Sequence, residues 1–86
     1  MTNFLPGYHV TEIEKGVLGE LSKIREELDE LFDAREQEVR IMELVELSDL
    51  YGAIEAYVHD KHPGISMDDL KAMSAVTKRA FANGRR

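Results

Sequence analysis

Glu46 and Asp49 stand in the middle of what must be the inward face of a helix. At about 100° per residue, with Glu46 at zero, Val39, Met42, Leu50, Ala53 and Tyr57 all fall within roughly 40° of it, and Asp49 about 60° away. A carboxylate pair inside an apolar stripe has to be neutralised, hydrogen-bonded or bound to a cation. Ordinary packing has no use for it. A second pair with the same i, i+3 spacing, Glu27 and Glu30, lies on the preceding predicted helix. Two such pairs on neighbouring helices make a cation the leading explanation.

The chain around these acids reads as all-α, a single domain spanning residues 1–86. Residues 1–10 form an irregular lead-in, with Pro6-Gly7 as its turn signal. Thr11-x-x-Glu14 fits a capping box, so the first helix is expected to open there and to end between Asp33 and Glu36. Its stripe is Ile13, Val17, Leu21, Ile24, Leu28 and Leu31, in helical steps of three and four. Gly16 and Gly19 weaken its first turns by roughly 1 kcal/mol each relative to alanine. A second helix is expected from about Glu38 to His59, and Pro63-Gly64 stops the chain beyond it. Ser66 caps a third, from Met67 to Ala82, with Asp68 and Asp69 favouring its dipole. A tail, 83–86, follows.

Helix two is apolar on more than one side, because Leu44 and Leu47 lie off the Glu46 stripe. Such a helix needs partners all round, and 86 residues without a cysteine supply few. The expected architecture is a helical hairpin plus a third helix, completing a four-helix-bundle-type core as a homodimer or a dimer of dimers. A formal charge of −6 argues against nucleic acid as the partner. The apolar runs are too short to span a membrane, and the start MTNFLPGYHV lacks the regions of a signal peptide. A soluble, cytoplasmic protein is the expectation.

Antiparallel helices joined after Glu30 and before Glu46 would let all four carboxylates surround one space. They cannot all stay ionised there without compensating cations. Hard oxygen ligands favour Mg²⁺ or Mn²⁺ over zinc, and Mg²⁺ commonly shares itself with substrate phosphates. A phosphorylated small molecule is the implied substrate. For Glu26, Glu27, Asp29 and Glu30 the competing reading is a solvated acidic face. A di-iron bundle would require Glu-x-x-His, which the chain lacks; Glu55 and His59 are four apart.

Glu27-x-x-Glu30 followed by Glu46-x-x-Asp49 resembles the ExxE…ExxD pattern of the MazG-like all-α nucleoside triphosphate pyrophosphohydrolases, a superfamily that includes phosphoribosyl-ATP pyrophosphohydrolase and dimeric dUTPases. The segments Lys23 to Leu31, Val45 to Tyr51 and Gly64 to Arg79 are similar to the family's first, second and closing helices. Ala75 stands three residues before Lys78, where the family often has Asn. The resemblance implies Mg²⁺- or Mn²⁺-dependent hydrolysis of a (d)NTP to the monophosphate and pyrophosphate, with Glu27, Glu30, Glu46 and Asp49 as metal ligands and catalytic groups. It also implies basic side chains on the phosphates, for which Lys23, Lys78, Arg79 and Arg85 are candidates. Base or sugar selection is expected from His9, Ile13 and Gly16, with Asn83 a further candidate, and a purine such as that of dGTP or GTP is the guess for the base. So compact a form would suit a phage or a small bacterial genome, which would put the protein in a host cytoplasm. The alternative is a non-catalytic helical dimerisation or regulatory module whose acids bind a basic partner. Such a surface belongs on an outer face, and the inward position of Glu46 and Asp49 separates the two readings.

Overall fold

A computed structural model describes residues 9–82 and Gly84, and within them the chain is all-α, with three helices and no strand. They are α1 (Leu21–Gln37), α2 (Arg40–Lys61) and α3 (Met67–Ala82). Helices α1 and α2 form a packed hairpin, whereas α3 does not pack along either of them. No helix among the described residues is long and apolar enough to cross a membrane.

The first helix starts ten residues later than the Thr11-x-x-Glu14 pattern predicts. Thr11 caps nothing locally. Its backbone N–H and its hydroxyl both donate to Asp33 Oδ2, at 2.7 and 2.6 Å, so residues 9–17 run extended along α1. Gly16 makes that path possible, since a Cβ there would overlap the Ser22 carbonyl. The chain then turns through Val17–Glu20, closed by Glu20 N–H donating to the Val17 carbonyl at 3.0 Å, with Gly19 at φ +94°. A positive φ of that kind suits glycine and few other residues.

The α1–α2 joint carries no glycine or proline. Glu38 itself takes the left-handed conformation, φ 59° and ψ 35°, and its N–H donates to the Arg35 carbonyl. Arg35 also reaches Glu43 across the joint at 3.4 Å. At the other end, Gly64 (φ +88°) turns the chain into α3, whose start matches the expected boundary. Ser66 Oγ accepts from Asp69 N–H at 3.2 Å, and Asp69 Oδ2 accepts from Ser66 N–H at 2.9 Å, a reciprocal cap.

Between α1 and α2 the buried apolar residues are Ala34, Ala53 and Val58, and they share the interior with Glu26, Glu27, Asp33 and Glu46. The predicted stripe from Ile13 to Leu31 is therefore not the inner face of α1: Val17 lies before the helix and is exposed, Leu21 and Leu28 are exposed, and Ile24 and Leu31 half-buried. The lead-in covers the acidic side instead and supplies the donors that make its burial tolerable. Nor does the run from Glu26 to Glu30 form a solvated face, since Glu26 and Glu27 are buried. On α2 most of the predicted stripe turns inward, with Glu46 fully buried, Ala53 2 % exposed, and Met42, Leu50 and Tyr57 half-buried, whereas Val39 at the N-cap and Asp49 are exposed.

Candidate metal centre

Side chains three apart on a helix project to one side, and two antiparallel helices bring two such pairs face to face. Glu27 and Glu30 from α1 meet Glu46 and Asp49 from α2 with one carboxylate oxygen of each within 4.8 Å of all the others. Glu27 and Glu46 lie at the buried end and Asp49 at the exposed rim. Burial, a hydrogen bond to Glu46 and the neighbouring charges of Glu27, Glu46 and Glu26 push the Glu30 carboxyl up to about 8. The repulsion foreseen for four clustered acids is thus relieved by Glu30 holding a proton.

Lys23 provides part of the remaining compensation. Its Nζ lies 3.1 Å from Glu27 Oε2 and 3.2 Å from Glu26 Oε1. Burial disfavours its charge, but the hydrogen bonds to Glu27 and Glu26 outweigh that and raise its pKa. Glu26 is held down in turn, its own burial outweighed by the Gly16 N–H at 2.8 Å and by Lys23. Glu27 Oε1, in contrast, is buried with no hydrogen-bond partner, on a residue only 5 % exposed. An orphaned carboxylate oxygen in such a place could serve as a ligand to a cation.

A second array lies one turn further along α1. Asp33 accepts from Val10 N–H, from Thr11 N–H and Oγ1, and from Gln37 Nε2 at 2.7 Å. Burial alone would raise its pKa; the Thr11 hydroxyl, Gln37, the Thr11 N–H and His9 together bring it down to about 2. His9 Nδ1 lies 3.2 Å from Asp33 Oδ1, while its Nε2 lies 3.5 Å from Glu30 Oε1 and 3.4 Å from Glu46 Oε2. Among the described residues, His9, Glu30 and Glu46 form a second group whose ligand atoms lie within 4.8 Å of one another. Beside it opens a cleft of about 320 Å³ lined by His9, Val10, Thr11, Glu12, Ile13, Lys15 and Glu30.

The structure thus brings together Glu27, Glu30, Glu46, Asp49, Lys23 and His9, and places Ile13 at the adjoining cleft. Gly16 is taken up by packing against Ser22 and Glu26. Lys78 and Arg79 are exposed on α3, away from the α1–α2 hairpin, so one chain does not bring them to the acids. Arg85 and Asn83 lie outside the described residues. Sequence reasoning missed Glu26 and Asp33, although Glu26, Glu30 and Asp33 recur in steps of four and three on one helix side. That periodicity marked an acidic inner stripe. Against known proteins, the chain matches no family model, no curated protein and no solved structure.

Proposed function

We propose that this chain is a Mg²⁺- or Mn²⁺-dependent nucleoside triphosphate pyrophosphohydrolase, of the MazG-like kind that its acidic pattern resembles. The observation that carries this reading is the meeting of Glu27, Glu30, Glu46 and Asp49 around one point, with a buried, unpartnered Glu27 oxygen among them. The donor set fits the group, since carboxylates of this number and hardness suit Mg²⁺ or Mn²⁺. A divalent cation held there would draw polyphosphate oxygens to an acidic site and make a water a better nucleophile.

The chain's own residues then divide the remaining work. Glu27, Glu30, Glu46 and Asp49 would hold the cation, with Glu30 giving up its proton to do so. Lys23 pairs with the buried Glu27 and Glu26. The nucleoside occupies the cleft of His9 to Ile13, which borders Glu30 and so sets the triphosphate across the acids. Water adds to a phosphorus, one phosphoanhydride bond breaks, and pyrophosphate leaves with the electron pair of that bond. Lys78 and Arg79 reach the phosphates only from a second subunit, which makes a homodimer part of the proposal.

The test is release of pyrophosphate over all common NTPs and dNTPs with Mg²⁺ and with Mn²⁺. Metal-dependent turnover of at least one triphosphate, absent in Asp49→Asn, is expected. No turnover of any of them would return the chain to the non-catalytic helical module.

A further inference from the structure

His9 does more here than line a nucleoside cleft. Asp33 is buried and accepts N–H or O–H bonds through both of its oxygens, so the ring nitrogen facing it, Nδ1, is the donor. Asp33 is itself fixed by four N–H and O–H donors from Val10, Thr11 and Gln37. The imidazole is therefore oriented from behind, and its other nitrogen, Nε2, faces Glu30 Oε1 at 3.5 Å and Glu46 Oε2 at 3.4 Å. A carboxylate behind a histidine that points at further carboxylates is the arrangement by which proteins fix a metal-ligating imidazole. The orphaned Glu27 Oε1, on a residue 5 % exposed, lies in the adjoining four-acid group, which shares Glu30 and Glu46 with His9, and points independently to a cation at this junction.

We infer that His9 is a metal ligand through Nε2, binding a divalent cation together with Glu30 and Glu46, with Asp33 as its positioning residue. This rests on the metal-centre reading of the four acids, and adds to it one nitrogen donor from the lead-in. Glu30 and Glu46 belong to both groups of ligand atoms, so the nitrogen position adjoins the all-oxygen one. Its consequence is selectivity. Imidazole nitrogen suits Mn²⁺ and the later transition metals better than Mg²⁺, which prefers oxygen and keeps its waters. The lead-in tunes the centre towards Mn²⁺.

The test uses the full chain and the metals alone, without nucleotide. Pulsed EPR of Mn²⁺ bound to the wild-type protein is expected to show modulation from a directly coordinated imidazole nitrogen, and His9→Gln is expected to abolish it. Calorimetry with Mn²⁺ and Mg²⁺ is expected to show a loss of Mn²⁺ affinity on the order of tenfold in His9→Gln, with Mg²⁺ affinity little changed. Asp33→Asn is expected to weaken the nitrogen modulation while His9 remains in place. Mn²⁺ bound by the wild type without nitrogen modulation overturns the His9 assignment and leaves the four-acid centre standing. Equal losses of Mn²⁺ and Mg²⁺ affinity overturn it as well. No Mn²⁺ bound at all overturns both. The wild-type spectrum decides the matter even if His9→Gln fails to fold.

Discussion

Glu30 carries a proton to about pH 8 because burial, Glu46 and the other nearby acids all oppose its charge. Its folded pKa is raised above an ordinary 4.5, so the folded state holds that proton more tightly than the unfolded chain. The associated stability is fully present below pH 4.5 and is lost as pH rises towards 8. The metal-free protein is therefore expected to melt at progressively lower temperature across that window, with Mg²⁺ or Mn²⁺ reversing the trend. Glu46→Gln removes one of the opposing charges and should raise the metal-free melting temperature at pH 8 while abolishing pyrophosphate release. A variant that still turns over triphosphate would end the assignment of Glu46. Asp33 has the opposite sign. Its pKa is lowered from 3.8 to about 2, so its contribution is complete above pH 3.8 and lost as pH falls to 2. Asp33→Asn should cost about 2–3 kcal/mol near neutral pH, as expected for loss of several bonds to a charged acceptor, and flatten that acid limb. Denaturant melts at pH 3 and pH 7 measure both effects.

At the scale of the helices, the readable features are those set by near neighbours. The bounds of α3 follow from Pro63, Gly64, Ser66 and Asp69, all within one turn of its start, and the structure puts it at Met67–Ala82. The meeting of the four acids was legible for a similar reason, because i, i+3 spacing fixes direction whatever surrounds the helix. The start of α1 was not. Thr11 spends its donors on Asp33, a partner 22 residues away that no local pattern names, and Gly16 lets the non-helical lead-in lie against the helix. His9, expected at the base or sugar, was not expected beside the acids for the same cause, since only the docking of that lead-in carries it to Glu30 and Glu46. The α1–α2 joint went unmarked because Glu38 adopts a left-handed conformation that glycine would take at less cost. Glu38→Gly should accordingly raise stability by about 0.5–1 kcal/mol without altering metal binding. A lower melting temperature in that variant would mean that the Glu38 side chain supports the joint in some other way.

For the whole molecule, the apolar interior among the described residues is small. A compact domain of this length has a radius of gyration of about 12 Å, and this one has 15.5 Å because α3 stands off the hairpin. The buried apolar residues are Ala34, Ala53 and Val58 among the described ones, while Phe32, Leu44, Leu47, Met73, Val76 and Phe81 are exposed on all three helices. Contiguous large apolar side chains left in water are commonly covered by a partner. Each large side chain so covered contributes on the order of 1.5–3 kcal/mol. We propose that a second copy covers them, which would also carry Lys78 and Arg79 from α3 towards the acids of its partner. We expect a dimer or a dimer of dimers at micromolar concentration by sedimentation equilibrium. Met73→Asp combined with Val76→Asp, one turn apart on α3, should dissociate it and weaken triphosphate binding far more than Mn²⁺ binding, because the cation ligands all come from the α1–α2 hairpin and the lead-in. A wild-type chain that sediments as a monomer, or a dissociated variant that holds triphosphate undiminished, would show that α3 has no part in assembling the site.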